Sequence, residues 1–286
     1  MLLRNYRTYF IEKLTLLYDV MEAESFFSIT LNELKGWKRV DVALNPDAEL
    51  SAEEIEKWNA VLAALELQKP IQYIFGHTHF YGLDFEVNDK TLIPRPETEE
   101  LVEWVIHENK NRGEIKILDI GTGSGCIAIS LAKNLEDAKV FAIDVSYDAL
   151  AVAKRNATNN EVNVTFVQQD ILLADALPEQ FDVIVSNPPY VRNLEKAEIK
   201  QNVLDYEPHL ALFVDDNDAL VFYRKIALLA KANLPQNGKL YFEINQYLGS
   251  ETMQMLEDFK YKNVLLRKDI YGNDRMLSAI SDLRIS

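Results

Sequence analysis

Lys116-Ile117-Leu118-Asp119-Ile120-Gly121-Thr122-Gly123-Ser124-Gly125-Cys126 changes character twice within one short stretch. An apolar, strand-forming run ends at Ile120, glycines then alternate, and a helix-forming segment starts at Cys126. Alternate glycines let the backbone turn tightly and let a ligand approach where a Cβ would block it. Strand, glycine turn and helix start together form the opening unit of a parallel α/β sheet. An acid, Asp144, closes the next predicted strand about 20 residues beyond the turn, where its carboxylate can accept both ribose hydroxyls of an adenosine. Gly121, Thr122, Gly123, Ser124, Gly125 and Asp144 are therefore candidate cofactor residues. The plain alternative is a turn of this kind with no ligand. The pattern here is Gly-x-Gly-x-Gly rather than the dinucleotide fingerprint, and Asp119 stands just ahead of it. An acid there suits a cation, such as the amino group of an amino-acid cofactor, and would repel a pyrophosphate. Gln169-Asp170-Ile171, after the third strand, offers a carboxylate for an adenine amino group and an apolar side chain for its ring.

Outward from the turn, strands and helices alternate: Ile115–Ile120, helix 126–135, Lys139–Ile143, helix 147–158, Val162–Val167, Phe181–Val185, helix 217–233 and Lys239–Ile244. That rhythm predicts an α/β fold with a doubly wound, Rossmann-like parallel sheet. Val264–Lys268 and Arg275–Ile280 flank a turn at Tyr271-Gly272-Asn273-Asp274 and read as a final hairpin. It adds a C-terminal antiparallel strand to the sheet.

The fourth strand of this series ends in Ser186-Asn187-Pro188-Pro189-Tyr190. Each proline fixes its own φ and pushes the residue before it out of the helical region. Asn187 and Pro188 are thereby expected to be extended at the strand end. The Asn187 side-chain oxygen and the Pro188 main-chain oxygen then make two acceptors side by side, next to an aromatic ring. Such a place suits a planar –NH2 group, which needs two acceptors and a stacking partner. A Pro-Pro loop closing a core strand is the plain alternative.

Residues 1 to about 75 look all-helical, with three-to-four spacing of Leu14, Leu17, Tyr18 and Met21, and of Ile55, Trp58, Val61, Leu62 and Leu65. Ser51 and Glu54 form a capping box, and Gly36 and Asn45-Pro46 mark breaks. From Ile71 the period changes. Tyr73, Phe75, Phe80, Tyr81, Phe85 and Val87, with Gly76, Gly82 and Asn88-Asp89 between them, predict a β-hairpin. The division expected is a helical docking domain at 1–72, a hairpin linker at 73–93 and the α/β domain at 94–286. Leu92-Ile93-Pro94-Arg95-Pro96-Glu97-Thr98-Glu99-Glu100 leads into a helix beginning at Glu97 or Thr98. A stiff, charged approach to a helix often forms a pocket wall, which makes Arg95 and Glu97 candidate substrate-binding residues; surface rigidification is the alternative.

Composition narrows the partners. Across 286 residues, 48% are hydrophobic and 26% charged, which is globular composition with room for a large and a smaller domain. No apolar run reaches the length of a membrane span, and the first residues do not read as a signal peptide. One cysteine excludes an internal disulfide and fits a reducing, cytoplasmic setting. Cys126 reads as a small packing residue beneath the turn. His77, His79, His107 and His209 do not suggest a metal site. Forty-five acidic residues against 30 basic ones give a net charge of −15. A protein whose ligand is a phosphate backbone normally presents a basic face, so the balance favours a protein or small-molecule substrate over nucleic acid.

The order Asp119, glycine turn, Asp144, Asp170, Asn187 resembles the class I S-adenosylmethionine-dependent methyltransferases. Asn-Pro-Pro-Tyr occurs in those that modify planar nitrogen. Gln72–Gly76, Phe80–Leu83, Leu92–Glu100, Glu207-Pro208 with Ala211-Leu212, and Asp269–Arg275 narrow the likeness to the release factor glutamine methyltransferases, across nearly the whole chain. The resemblance implies a cofactor, S-adenosylmethionine, with S-adenosylhomocysteine as product. It implies a substrate, the glutamine of the Gly-Gly-Gln motif in peptide-chain release factors; a monomer with no membrane and no direct nucleic-acid partner is the accompanying expectation. It assigns Asn187 and Pro188 to the two amide hydrogens and Tyr190, following Pro189, to packing against the amide. Segment 121–125, Asp144, Asp170, Ile171 and Asn187 would hold the cofactor. Glu243-Ile244-Asn245 departs from the family's usual Glu-Ile-Gly. A nucleic-acid amino methyltransferase and a non-catalytic adenosine-binding adaptor are the rival readings.

Overall fold

A computed structural model describes residues 1–282. The chain forms two compact units, one of Met1–Gly76 together with Gln201–Tyr206, the other of His77–Lys200 and Glu207 onward.

The first unit holds helices α1 (Leu3–Leu14), α2 (Val20–Lys35), α3 (Arg39–Leu44), α4 (Ala52–Glu66) and α5 (Ile71–Phe75). Its core is aromatic. Trp58 is fully buried, with the Tyr6 ring 5.5 Å and the Phe27 ring 5.2 Å from it. The Ser51–Glu54 capping box opens α4 as expected. The stripe Leu14, Leu17, Tyr18, Met21 does not lie on one helix. The chain turns at residues 15–19, Asp19 caps α2, and Leu17 and Met21 are exposed, whereas Leu3, Tyr6, Phe10 and Leu14 form the buried face of α1. Tyr73 and Phe75 likewise sit in the short helix α5, which Gly76 ends at φ +80°. Only Gly lacks the Cβ that opposes this left-handed turn. The segment Gln201–Tyr206 (α9) belongs to this unit, and its Tyr206 hydroxyl donates to the Leu67 carbonyl at 2.7 Å. Nothing in the sequence signals that excursion.

The second unit begins with a hairpin, β1 (His77–Phe80) and β2 (Leu83–Glu86), then α6 (Pro96–Asn109), β3 (Ile115–Ile120), α7 (Cys126–Asn134), β4 (Ala138–Asp144), α8 (Tyr147–Asn159), β5 (Val164–Gln168) and β6 (Val183–Ser186). After the short strands β7 (Val191–Arg192) and β8 (Phe213–Val214) come α10 (Val221–Asn233), β9 (Lys239–Glu243), α11 (Gly249–Asp258), β10 (Lys262–Lys268) and β11 (Asp274–Ile280). The seven-stranded sheet runs β10-β11-β9-β6-β3-β4-β5. Strands β9, β6, β3, β4 and β5 are parallel, and β11 pairs antiparallel with β9. The fold is thus the doubly wound sheet with an antiparallel addition that the sequence predicts. Helix α11 is an element that the sequence reading passed over.

Two-residue periodicity explains why both sheet faces need a core. Leu118, Ile184, Leu240 and Phe242 pack with Tyr223, Ile226 and Ala230 of α10 and Leu256 of α11. Their strand neighbours Ile117, Val183, Val185 and Tyr241 pack on the other face, with Leu101 and Val105 of α6 and Ile127 and Leu131 of α7. A strand buried on both faces must be apolar throughout, so Asp119 in the middle of β3 stands out. Among the described residues no helix is long and apolar enough to cross a membrane.

Candidate active site

The chain winds from β3 through β4 to β5 on one side, then crosses to β6 and β9 on the other. Ligands of open α/β sheets bind at such a reversal, beyond the carboxyl ends of the strands. A cavity of about 430 Å³ lies there. It is lined by the glycine turn, Asp144, Asp170, Ile171 and Asn187-Pro188-Pro189, and by Arg95 and Thr98.

One wall is shaped by backbone. The Gly121 and Thr122 N–H groups both donate to the Ile143 carbonyl, at 2.8 and 3.0 Å, which folds the turn over the end of β4. Gly121 has φ +76°, and a Cβ there would stand 3.9 Å from the Asn187 carbonyl oxygen. Asp144 accepts from Gly123 N–H at 2.8 Å and from Ser146 N–H at 2.9 Å. A carboxylate has about four lone-pair sites, so acceptor capacity remains for a ligand, although burial raises its pKa. Asp170 accepts from Leu172 N–H at 2.9 Å, which anchors the loop after β5.

Gly121, Thr122, Gly123 and Ser124 line the cavity, but Gly125 does not. Gly125 caps α7 at φ +85°, and a Cβ would meet Ile129 Cδ1 at 2.8 Å and Ala153 Cβ at 3.1 Å. Its role in the fold is close helix packing, not ligand approach. Asp119 is also away from the cavity: fully buried, it accepts from the Thr122 hydroxyl at 2.6 Å. Burial pushes its carboxyl up to about 7. Cys126, buried at the start of α7 and bordering the cavity, has its thiol pushed up to about 12 by burial, which disfavours the thiolate.

The other wall is built from side chains distant in sequence. Helix α6 starts at Pro96, with Arg95 as its N-cap. Residue Thr98, in the first turn, is buried and faces inward, which turns its neighbour Glu97 out of the cavity lining. The Thr98 hydroxyl donates to Glu243 Oε2 at 2.6 Å, and Asn187 Nδ2 donates to Thr98 Oγ1 at 3.4 Å. Tyr190 is not in the cavity lining. Its hydroxyl donates to Glu243 Oε1 at 3.1 Å, and its ring packs on the core beneath the sheet. Glu243, at the end of β9, is 1% exposed, and burial raises its pKa. Arg95 holds the wall differently: its guanidinium donates to the buried Glu207 at 2.5 Å, and Glu207 also accepts from Ile93 N–H at 3.1 Å.

Asn245, where the resemblance leads one to expect glycine, is 3% exposed. Its Nδ2 donates to the Tyr190 carbonyl at 2.9 Å and to Glu195 at 2.8 Å, and its Oδ1 accepts from Tyr247 N–H at 2.9 Å. It therefore ties the residue after Pro189 to the end of β9. The sequence reading names Glu243 and Glu207 only within stretches that carry the resemblance and assigns them no role, although an acid closing the apolar run Lys239–Glu243 is a visible signal for a buried charge.

Comparison with known proteins agrees with this architecture. Residues 99–210 match the methyltransferase small domain, and residues 17–76 match the PrmC N-terminal domain. The chain is 61% identical over 280 residues to a release factor glutamine methyltransferase of Flavobacterium psychrophilum, covering 97% of this chain and 98% of the relative. It is 46% identical over 264 residues to the protein of that name in Bacteroides thetaiotaomicron, covering 92% and 94%. In fold it is similar to a methyltransferase from Pyrococcus furiosus, with a TM-score of 0.52 at 21% identity over 77% of this chain and 98% of the other. It is also similar to a Thermus thermophilus 16S rRNA N2 G1207 methyltransferase, with a TM-score of 0.51 at 17% identity over 72% and 50%.

Proposed function

The chain belongs to the family of release factor glutamine methyltransferases, and from that premise we propose that it transfers a methyl group from S-adenosylmethionine to the side-chain amide nitrogen of the glutamine in the Gly-Gly-Gln motif of peptide-chain release factors. One observation carries the reading. The end of β6 brings Asn187 and Pro188 into the same cavity as the glycine turn and Asp144.

The residues fit the cofactor. Gly121 and Gly123 leave the backbone open to it, Asp144 has acceptor capacity for ribose hydroxyls, and Asp170 with Ile171 suits an adenine edge and face. When bound, S-adenosylmethionine supplies an electrophilic methyl group on a positively charged sulfur. The protein's task is the acceptor. An amide nitrogen is a poor nucleophile because its lone pair is delocalised into the carbonyl. Asn187 Oδ1 and the Pro188 carbonyl accept its two hydrogens, keep electron density on nitrogen and hold it in line. Positioning of this kind is worth about 7–11 kcal/mol of a barrier. No general base is required, because a methylated, positively charged amide nitrogen releases its proton readily to water.

The helical unit is the proposed docking face for the release factor. Leu16, Leu17, Val20 and Met21 are exposed at its α1–α2 turn, an apolar patch suited to a protein partner.

A methylation assay offering release factor, DNA and ribosomal RNA side by side tests the proposal. Label is expected in the release factor alone. Label in either nucleic acid, with none in the release factor, would overturn it.

A further inference from the structure

Asn187 can serve a substrate amide only if it presents its oxygen, and a side-chain amide carries its oxygen and its NH2 on the same carbon. Something must decide which end faces the cavity. The Thr98 hydroxyl has a single hydrogen, committed to Glu243 at 2.6 Å. Toward Asn187, 3.4 Å away, the Thr98 oxygen can therefore only accept, and only the NH2 end of Asn187 satisfies it. At that distance the contact is weak in energy; its consequence is directional.

Glu243 sets the polarity of the chain. Its two oxygens both accept, from the Thr98 hydroxyl and from the Tyr190 hydroxyl at 3.1 Å, which is what a carboxylate without a proton does. These bonds, with the nearby Arg275, favour that charged form against burial. Arg275 donates to the Tyr190 oxygen at 3.5 Å and is itself held by Asp269 at 3.1 Å. From Arg275 through Tyr190 on one side, and from Asn187 through Thr98 on the other, the donated hydrogens run toward Glu243. Its negative charge, buried behind Thr98, also polarises the Asn187 amide so that Oδ1 becomes a stronger acceptor as positive charge develops on the substrate nitrogen.

We propose that Thr98 and Glu243 are positioning residues for methyl transfer: the buried Glu243 carboxylate, acting through the Thr98 hydroxyl, fixes the direction in which the Asn187 amide points. The proposal rests on the reading of Asn187 as the amide acceptor. It also gives the stiff Pro94–Pro96 approach a purpose, since that segment delivers Thr98 to the first turn of α6.

The test uses Thr98→Val, Thr98→Ser and Glu243→Gln in the full chain, with kcat and KM for a release factor, calorimetric affinity for S-adenosylhomocysteine, and Tm. Thr98→Val is expected to lower kcat roughly a hundredfold, as small misplacements of reacting groups do, with KM and product affinity nearly unchanged. Thr98→Ser, which keeps the hydroxyl, restores most of the rate. In the cofactor-free protein, hydrogen exchange of the Asn187 side-chain amide is faster in Thr98→Val than in wild type. If Thr98→Val does not fold, Glu243→Gln carries the test, with lowered kcat expected at unchanged product affinity. Wild-type kcat in either variant overturns the proposal, as does a Ser variant no better than Val. Turnover surviving in Asn187→Ala would instead remove the functional reading, a result separable from these.

Discussion

The two walls of the cavity are made in opposite ways. The cofactor wall is local: Gly121 to Ser124 and Asp144 lie within one strand-turn-helix-strand unit, and their shape comes from main-chain conformation and N–H groups. The opposite wall is long-range: Thr98 and Asn187 line it, Tyr190 and Glu243 stand behind it, and the four come from three separate stretches joined by side-chain hydrogen bonds. A backbone cradle tolerates changes around it provided its glycines remain. A buried polar network has little such tolerance, because removing one member leaves others without partners.

Asp144→Ala probes the first wall and, after the loss of transfer expected of Asn187→Ala, carries the largest effect on a ligand. It removes the proposed acceptor for the cofactor and takes the carboxylate away from the Gly123 and Ser146 N–H groups. Loss of a charged hydrogen-bonding group is worth about 1.5–3 kcal/mol, so cofactor affinity measured by calorimetry should fall by roughly 10- to 100-fold. Unchanged affinity would break the assignment of this wall to the cofactor.

Asn245→Gly probes the second wall. It strips donors from the Tyr190 carbonyl and from buried Glu195. Unfolding in urea should show a loss of about 1–3 kcal/mol at nearly unchanged cofactor affinity. A variant as stable as wild type would mean that the acceptor wall does not depend on side-chain struts.

Asp119→Asn sharpens the contrast through the slope of stability with pH. Burial pushes the Asp119 carboxyl from 3.8 up to about 7, so between those values the native state holds a proton that the unfolded chain has released. Wild-type stability should therefore fall as pH rises through that window, by at most about 1.4 kcal/mol per pH unit from this group. The asparagine variant should show a flatter profile. An unchanged profile would contradict the picture of Asp119 as a buried carboxyl beneath the turn.

The same contrast explains what the sequence made legible. Strand, glycine turn and closing acid are neighbours in the chain, so their meeting in one cavity was readable from spacing, as was the parallel sheet from its strand-helix rhythm. Gly125 and Asp119 show the limit: the motif marks them, but only packing shows that they face the helices and the core rather than a ligand. Asn187 and Pro188 were readable because two prolines constrain the backbone locally. Thr98 and Glu243 were not, since their pairing spans the whole α/β unit and no local pattern encodes it. Tyr190 misled for the same reason. Its ring is expected at the substrate amide, and its hydroxyl donates to the buried carboxylate of Glu243, a partner that no local pattern announces.

The central claim is that Asn187 accepts the substrate amide beside a cofactor that other residues hold. Mass spectrometry of a purified release factor, incubated with S-adenosylmethionine and either wild type or Asn187→Ala, tests it most directly. Wild type should add the mass of one CH2 to the Gly-Gly-Gln peptide, a methyl group in place of a hydrogen. Asn187→Ala should add none while binding the cofactor within about tenfold of wild type, or ~1.4 kcal/mol. A wild-type mass gain from the Asn187→Ala protein would contradict the account.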